Sequence, residues 1–391
     1  MARDLTALEE RLAELDADGY LLDADGSDPN QYYLSGFDAP DPFLTVYAGD
    51  VHLLFPRSLE YGRAKRESAA ATVSRYVDYD YDSLLEEYDR REAAVRARTA
   101  FLAEHDVERV AVPPRFPTGA ADGLREQGIE VTVDHEDAIE SVRATKTDTE
   151  IDQIRTAQRA NERAMAAAEN LIRGSSVDDE GRLVHDDDVL TSERVREEIE
   201  VTLLRNGCAL DETIVACGAD AADPHERGSG PLLADEPIIV DIFPRDKSTK
   251  YHADMTRTFL VGEPTETIRE WFDLTDEARR AAIEAIEPGV TGNEIHDVVC
   301  DVYEDAGLPT LRSDGSTETG FIHSTGHGVG LAVHEQPSVS PQGGELEPGH
   351  VITIEPGLYD PDVGGVRIED FLVVTENGTE NLTEYPVSLV E

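Results

Sequence analysis

The sequence is poor in basic residues, cysteine and aromatic side chains, and it contains no long apolar run. Lysine and arginine number 34 against 83 aspartates and glutamates, which gives a formal net charge of −49. So acidic a chain repels nucleic acid and anionic membrane surfaces, and we expect neither as a partner. Because no stretch approaches about 18 apolar residues, the sequence predicts no membrane-spanning helix.

The cysteines, Cys208, Cys217 and Cys300, are too few and too widely spaced for a disulfide framework, so we expect buried free thiols. Met1 to Leu15 predicts an amphipathic helix that carries charges throughout and lacks the apolar core of a secretion signal. These features favour a cytoplasmic protein.

The acidic residues are scattered through helical stretches rather than collected in one tail. The one short run, Asp186-Asp187-Asp188, is typical of a solvated loop. This distribution indicates an acidic coat on a folded protein, and our hypothesis is a halophilic protein from a salt-rich cytoplasm, where cations screen the repulsion.

Helical and strand patterns alternate in the first part of the chain, which predicts an α/β layer domain over residues 1–143. The expected strands are 19–22, 109–112 and 128–133, with a hairpin over 43–55 that turns at Gly49-Asp50, and the expected helices are 58–68 and 88–105. His52, His105 and His135 fall here and His185 in the acidic loop, where surface or packing roles are expected.

A different pattern begins near residue 143, and we predict a second domain over residues 144–391. It starts with a long helix from about residue 148 to 174, followed by a loop over 175–188. Further helices are expected at 191–206, 266–287 and 292–306, with Trp271 in the core, and strands dominate from Thr353 to the end.

Four carboxylates interrupt apolar, β-branched strands of this second domain. Asp241 ends the strand 237–241, and Asp254 lies in its expected antiparallel mate, 252–259. Glu355 and Glu369 repeat the arrangement, with a separation of 14 residues against 13 in the first pair. Burial of an unpaired carboxylate is costly, so two facing hairpin arms with four acids predict a bound metal.

A glycine-rich segment between these arms, Gly320 to Leu331, contains His323 and His327. Glycine allows close backbone approach, and an imidazole supplies a nitrogen ligand. Four carboxylates and His327 are enough for two hard or borderline divalent ions.

These motifs resemble the pita-bread metallopeptidases related to methionine aminopeptidase, aminopeptidase P and prolidase. Four signatures occur in family order: Asp254-x-Thr-Arg-Thr-Phe, His323-x-x-Gly-His327-Gly-x-Gly, Glu355-Pro-Gly and Val366-Arg-Ile-Glu369-Asp. The resemblance implies an α/β N-terminal domain followed by a pita-bread domain with pseudo-two-fold duplicated β-hairpins.

By the same resemblance, Asp241 chelates one metal, Asp254 and Glu369 bridge two, and His327 with Glu355 completes the second site. Such donors suit Mn²⁺, Co²⁺, Fe²⁺ or Zn²⁺, of which we favour Mn²⁺ or Co²⁺. The family usually has a shorter turn after the first ligand, and the extra residues here leave Asp246 as a rival acid. We favour Asp241 because it ends an apolar strand.

His225 and His334 resemble the family's substrate-handling histidines. An imidazole near the metals stabilises an oxyanion or donates a proton to the departing nitrogen, and Glu355 is expected to act as the proton acceptor. Arg367 and His323 are expected to orient the ligands rather than to bind metal; a structural role for His323 stays equally open.

The stretch from Asn30 to Phe37, Asn-Gln-Tyr-Tyr-Leu-Ser-Gly-Phe, resembles the creatinase-type N-terminal domain of aminopeptidase P and prolidase. The resemblance implies a homodimer and a peptide substrate with proline at the second position. Two alternatives stay open, a metal-free creatinase-type C–N hydrolase and a non-catalytic peptide-binding scaffold. The complete ligand set argues against both, and metal analysis separates them from the peptidase.

Overall fold

The computed structural model describes residues 4–390 of the chain. The first three residues of the predicted N-terminal amphipathic helix lie outside this range, and the described helix is α1, Thr6–Glu14. The chain divides into two compact units, one that ends at Arg143 and one that begins at Ala144.

The first unit is built on a six-stranded mixed sheet in the order β4-β3-β2-β1-β5-β6. Its strands are β1 Gly19–Ala24, β2 Phe43–Ala48, β3 Asp50–Phe55, β4 Thr72–Arg75, β5 Arg109–Val112 and β6 Glu130–Val133. Besides α1, its helices are α2 Pro29–Ser35, α3 Tyr61–Glu67, α4 Tyr81–Glu87, α5 Arg90–Glu104, α6 Thr118–Glu126 and α7 Ala138–Ala144. The predicted hairpin is confirmed, with β2 and β3 antiparallel about Gly49.

The segment that resembles creatinase-type domains contains a helix that the sequence analysis did not assign. Asp28 caps α2 by accepting a hydrogen bond from the Gln31 amide, and Gly36 ends it with a φ of 62°. The Asn30 side chain donates to Asp137 and accepts from Arg143. The motif therefore serves the packing of the first unit.

Between residues 144 and 390, the second unit contains four α-helices and several small sheets. The helices are α8 Asp148–Arg173, α9 Ser192–Arg205, α10 Glu266–Ala285 and α11 Gly292–Asp305. The strands are β7 Ser176–Val177, β8 Leu183–His185, β9 Asp188–Val189, β10 Cys208–Ala209, β11 Thr213–Cys217, β12 Ile238–Ile242, β13 Arg245–Asp246, β14 Met255–Phe259, β15 Gly326–Gly328, β16 Glu335–Val339, β17 Val351–Ile354, β18 Gly357–Asp360, β19 Gly364–Arg367, β20 Asp370–Thr375 and β21 Gly378–Asn381.

Local sequence explains where the long helices begin. Thr147 and Glu150 form a reciprocal capping box at the start of α8, and Thr291 with Glu294 does the same at α11. The buried face of α8 includes Ala157, Ala160, Ala164 and Ala168, which let the helix pack closely with α9 and the core beside β12. Trp271 is buried in α10, as expected.

Two sheets carry the site. One has the order β11-β12-β14 and the other β16-β15-β17-β20-β21. The predicted pairing of the Asp241 and Asp254 segments is confirmed, since β12 and β14 are antiparallel with Asp241 opposite Thr256. Likewise β17 and β20 are antiparallel, with Ile354 opposite Asp370.

The structure corrects some expectations. The predicted loop over 175–188 contains a small sheet, β7-β8-β9, in which Asp186 and Asp187 form the turn with positive φ. Aspartate tolerates this left-handed conformation better than most residues, so the acidic run has a local backbone reason. The predicted terminal strand region ends earlier than expected, because no strand follows Asn381 up to Val390.

The three cysteines are free; Cys208 and Cys300 are buried and Cys217 is half-buried. His52 stacks on His105, with ring centroids 3.8 Å apart, and His135 is exposed. Within residues 4–390, no helix combines the length and the apolar composition needed to cross a membrane.

Candidate active site

The predicted site residues line one cavity of about 900 Å³ in the second unit. They are Asp241, Asp254, Glu355, Glu369, His225, His323, His327, His334 and Arg367. Apolar side chains also reach the cavity, among them Phe243, Ile322 and Val333. The structure therefore brings together side chains that are far apart in the sequence.

Strand ends position the four acids. Asp241 is the penultimate residue of β12, whereas Asp254 immediately precedes β14. Glu355 directly follows β17 and Glu369 directly precedes β20, so both leave the sheet at the same end of one antiparallel pair. The expectation that acids interrupt strands is therefore wrong in detail for three of them, since backbone at a strand end is freer to turn a carboxylate into a cavity.

Close backbone packing places His327. A Cβ on Gly326 would lie 2.0 Å from the Thr353 carbonyl oxygen, and one on Gly328 would lie 2.3 Å from the Gln336 carbonyl oxygen. Only glycine fits at these two positions, and β15 can therefore lie between β16 and β17. The Thr353 hydroxyl accepts a hydrogen bond from the His327 amide at 3.1 Å.

The tautomer of His327 suits a metal ligand. Its Nδ1 lies 3.1 Å from the Gly328 carbonyl oxygen, which can only accept, so Nδ1 carries the proton. Burial, together with His334, lowers the pKa of His327 to about 3. The Nε2 lone pair then faces two carboxylates, at 3.4 Å from Glu355 Oε1 and 3.9 Å from Asp254 Oδ2.

The acids raise one another's pKa values. Burial raises the pKa of Glu355 to about 8. The charge of Arg367 opposes this increase, and the charge of Asp241 adds to it. Burial and the charges of Asp241 and Glu355 hold the pKa of Asp254 well above its usual range. Burial and Asp254 do the same to the pKa of Glu369. So many adjacent carboxylates stay ionised only if further positive charge is present.

These residues fit a cation site. Ligand atoms of Asp254, His327 and Glu369 all lie within 4.8 Å of one another. Asp241 Oδ1 is buried and makes no hydrogen bond within the part of the chain that the structure describes. Unpaired carboxylate oxygens opposite an imidazole lone pair are repulsive by themselves, and a divalent cation turns that repulsion into coordination.

Arg367 supplies one fixed positive charge beside this cluster. It donates to Asp241 Oδ2 at 2.7 Å and to the Tyr359 hydroxyl at 2.9 Å. Burial opposes its charge, but Tyr359, Asp241 and Glu355 more than offset that effect and raise the pKa of Arg367. Arg367 therefore remains a cation and orients Asp241.

Tyr359 is a site residue that the sequence analysis missed. His323 Nδ1 lies 2.7 Å from the Ser324 carbonyl oxygen and so donates, which leaves Nε2 to accept from the Tyr359 hydroxyl at 3.0 Å. Tyr359 thus links His323 to Arg367. A sequence signal existed, because a tyrosine inside the apolar strand that follows Glu355-Pro-Gly needs a partner for its hydroxyl.

The histidines expected to contact substrate lie at the accessible part of the cavity. His225 and His334 are both exposed, and the His334 ring meets the His327 ring edge-on with centroids 4.2 Å apart. Burial, together with His225, lowers the pKa of His334. A neutral imidazole here can accept or relay a proton.

Asp246, the alternative first ligand considered from the sequence, lies outside the cavity. Its Oδ1 accepts hydrogen bonds from the amides of Ser248 and Thr249 and from the Thr249 hydroxyl. The extra residues after Asp241 form β13, which pairs with β10, and a turn in which Lys250 has a φ of 69°.

The fold and the site define a class of protein. The sequence profile of metallopeptidase family M24 matches residues 152–376, and that of the creatinase/prolidase N-terminal domain matches residues 5–145. The chain belongs to metallopeptidase family M24, and its second unit has the pita-bread fold expected from the motifs.

Among similar proteins, the Xaa-Pro dipeptidase of Pyrococcus furiosus is 30% identical over 91% of both chains. The crystal structure of the prolidase from Pyrococcus horikoshii is 27% identical and has a TM-score of 0.80 over 98% of this chain and 99% of that one. An X-Pro aminopeptidase structure from Thermotoga maritima, 23% identical with a TM-score of 0.76 over 97% of this chain and 100% of that one, shares the fold.

Proposed function

We propose that this protein is a metal-dependent exopeptidase that hydrolyses the bond between an N-terminal residue and proline. The observation that carries the proposal is the convergence of four carboxylates, His327, His225 and His334 in one cavity. The Xaa-Pro dipeptidase similar over 91% of the chain supports the substrate class. We assign catalysis to residues 144–391, the pita-bread domain, and we interpret residues 1–143 as a creatinase-like N-terminal domain.

For the metal centre we propose Asp241, Asp254, His327, Glu355 and Glu369 as ligands of two divalent cations, with Mn²⁺ or Co²⁺ preferred. Cations held by these residues would polarise the scissile carbonyl and lower the pKa of the attacking water. Arg367 and Thr256 fix the orientation of Asp241 and Glu369 through direct hydrogen bonds.

The remaining steps belong to the side chains. Glu355 accepts a proton from the attacking water, since its carboxylate faces the cavity beside His327. His225 and His334 stabilise the developing oxyanion and deliver a proton to the leaving group. A proline nitrogen in a peptide bond carries no hydrogen, so it must gain one before it departs as an amine. Two exposed imidazoles beside the ligands meet that need.

A substrate panel tests the proposed activity. The protein, loaded with Mn²⁺ or Co²⁺ at high KCl, is given an Xaa-Pro dipeptide, an Xaa-Pro tripeptide and a dipeptide without proline. We expect cleavage of Xaa-Pro substrates only, and the ratio of dipeptide to tripeptide rates distinguishes a dipeptidase from an aminopeptidase. Preference for the substrate without proline would contradict the proposal.

Metal dependence is the first testable prediction. Glu355→Ala and His327→Ala are expected to reduce turnover to background, because each removes a proposed ligand, while circular dichroism stays that of the folded protein. Metal analysis should find two ions per chain in the wild type and fewer in each variant. Full activity of the metal-stripped protein would overturn the mechanism in favour of metal-free C–N hydrolysis. A folded wild-type protein that binds no added metal and cleaves no peptide would favour a binding scaffold.

We further propose that the protein forms a homodimer and that it functions in a salt-rich cytoplasm. The match to the creatinase/prolidase N-terminal domain supports the former, and the net charge of −49 supports the latter. Light scattering after size-exclusion chromatography in high KCl should give twice the chain mass of 42.9 kDa.

A further inference from the structure

An ion pair lies buried beneath the loop that carries His334. Lys146 Nζ is 2.7 Å from Glu335 Oε1, and the two side chains are only 1% and 2% exposed. Lys146 also donates to the Ala144 carbonyl at 3.1 Å. Neither residue lines the cavity, and the sequence analysis assigned no role to either.

The buried side chain of Glu335 holds the loop that carries His334. Its Oε2 accepts from the Ala332 amide at 3.3 Å, and a Cβ on Gly330 would lie 2.2 Å from its Oε1. Its backbone lies opposite Gly328, the residue after His327. The carboxylate therefore fixes the short connection between His327 and His334 from inside.

Lys146 anchors this carboxylate to a different part of the unit. Its amide donates to the Gly349 carbonyl at 2.9 Å, and the preceding Thr145 forms a β-bridge with His350. These contacts hold Lys146 against the segment that leads into β17, the strand that ends just before Glu355. One ion pair thus connects the start of the metal-bearing strand to the His334 loop.

Stability alone is a poor reason for such a pair. Desolvation of two charges consumes most of the attraction between them, and replacement by apolar residues of similar size is often neutral or stabilising. The directional bonds of the pair do give the loop a single geometry. His334 is exposed and its ring meets His327 edge-on, so the backbone of the loop largely decides where the imidazole lies over the cavity.

We propose that Lys146 and Glu335 are positioning residues for His334, and that they hold its imidazole where it meets the scissile group. The inference rests on the proposed function, because it assigns the pair to that reaction. Glu335→Gln is the sharpest change, since it keeps the shape of the side chain but leaves one oxygen to serve both Lys146 and Ala332.

A double-mutant cycle tests the proposal. Glu335→Gln is expected to lower kcat by about 10- to 100-fold, the cost of a small misplacement of a catalytic group, with KM changed less than about twofold. In a His334→Ala background the same change should cost less than about twofold, because its effect passes through His334. An equal loss in both backgrounds, or no loss in either, would overturn the proposal.

A second variant and a matched control separate positioning from folding. Lys146→Met with Glu335→Gln removes both charges and leaves the oxygen of the introduced carboxamide free to accept from the Ala332 amide. This double variant replaces Glu335→Gln if the single variant folds poorly. Its loss of kcat should likewise disappear in the His334→Ala background. The control is Arg98→Met with Asp23→Asn, a largely buried ion pair of the first unit at 2.7 Å. It is expected to lower Tm and to leave kcat unchanged.

An activity-independent measurement distinguishes failure of this proposal from failure of the proposed function. With ¹³C-labelled histidine in the metal-free protein, the His334 ring signals should shift in Glu335→Gln, because the ring leaves its edge contact with His327. The exposed His135 should keep its signals. Unchanged His334 signals would refute positioning even if Xaa-Pro peptides are cleaved, and shifted signals would support it even if they are not.

Discussion

At the scale of single residues, the site depends on hydroxyl groups that join one arm to the other. Thr256 donates to Glu369 Oε2 at 2.9 Å and accepts from Arg367 Nε at 3.3 Å. Thr258 exchanges hydrogen bonds with the Arg367 backbone, and the Arg257 guanidinium donates to the Glu369 carbonyl at 2.6 Å. The segment Thr256-Arg257-Thr258 thus positions Glu369 and Arg367.

We predict that Thr256→Val weakens metal binding by about 10- to 100-fold, the usual cost of removing a hydrogen bond to a metal ligand. The change preserves shape but leaves Glu369 Oε2 without its donor. Calorimetric titration with Mn²⁺ measures the loss. Thr99→Val, which removes a hydroxyl bound to the Val95 carbonyl in the first unit, is the control and should leave the affinity unchanged.

The acid cluster also predicts how pH affects the metal-free protein. Burial raises the pKa of Glu355 to about 8, so the folded chain holds a proton that the unfolded chain has lost. Stability therefore falls as pH rises toward about 8. His323 and His327, with pKa values lowered by burial to about 3, act in the opposite direction only below about 6.5, the ordinary histidine value. The clear window is from about 6.5 to about 8.

Thermal melts of EDTA-treated protein across that window should show a falling Tm. Added Mn²⁺ should remove the decline, because coordination keeps the carboxylates ionised at all these pH values. Glu355→Gln has no such proton to lose and should show a smaller decline without metal. A Tm that rises across the window in the metal-free wild type would contradict this assignment.

At the scale of secondary structure, the extra residues between β12 and β14 form a stabilising element rather than a second metal site. β13 pairs with β10, and Asp246 caps the turn that follows through three hydrogen bonds. The insertion therefore forms a separate two-stranded sheet with β10, while β12, which contains Asp241, remains paired with β14, which begins directly after Asp254.

We predict opposite phenotypes for the two acids of this region. Asp246→Ala should lower the free energy of unfolding by about 1–3 kcal/mol, since turn amides lose an acceptor that costs up to about 1.5 kcal/mol each, and should leave Mn²⁺ affinity intact. Asp241→Ala should abolish binding at one of the two proposed metal sites. Urea unfolding and metal titration distinguish them, and loss of metal on Asp246→Ala would reverse our assignment.

At the scale of the whole molecule, charge is confined to the surface with few exceptions. Within residues 4–390, the buried acids are Asp134, Glu150, Asp254, Glu335, Glu369 and Asp370. Ion pairs compensate the cost of burying some of these acids. Asp370 contacts Arg257 and Arg279, and Asp134 contacts Arg11. Asp241 and Glu355 line the cavity, and most of the remaining acids form the coat that accounts for the negative net charge of −49.

The acidic groups of such a coat repel one another, and salt screens this repulsion. The screening length is about 10 Å at 0.1 M and becomes shorter at higher salt concentration. We therefore predict that Tm rises with KCl from dilute buffer to molar concentration. Sucrose at matched osmolality is the control, since it stabilises by exclusion without screening charge. Maximal stability in dilute buffer would refute the halophilic interpretation.

The sequence predicted the site better than it predicted the boundaries of elements. Asp241, Asp254, His327, Glu355 and Glu369 could be found because a carboxylate beside an apolar strand, or a histidine between glycines, is locally anomalous. The helix α2 and the small sheet β7-β8-β9 were missed because their signals are short and are outweighed by neighbouring turn residues. Tyr359 carried a sequence signal and Thr256 belongs to the Asp254-x-Thr-Arg-Thr-Phe signature, but neither received a role because their hydrogen-bond partners are distant in the sequence.

The sequence by itself determined the two-domain pattern, the set of candidate metal ligands and the family, since these follow from local composition and motif order. Tertiary structure alone decided that Asp246 caps a turn, that Tyr359 joins His323 to Arg367, and that Lys146 reaches Glu335. The physical reason is that hydrogen bonds and ion pairs depend on distances of about 3 Å, and folding, not chain order, sets those distances.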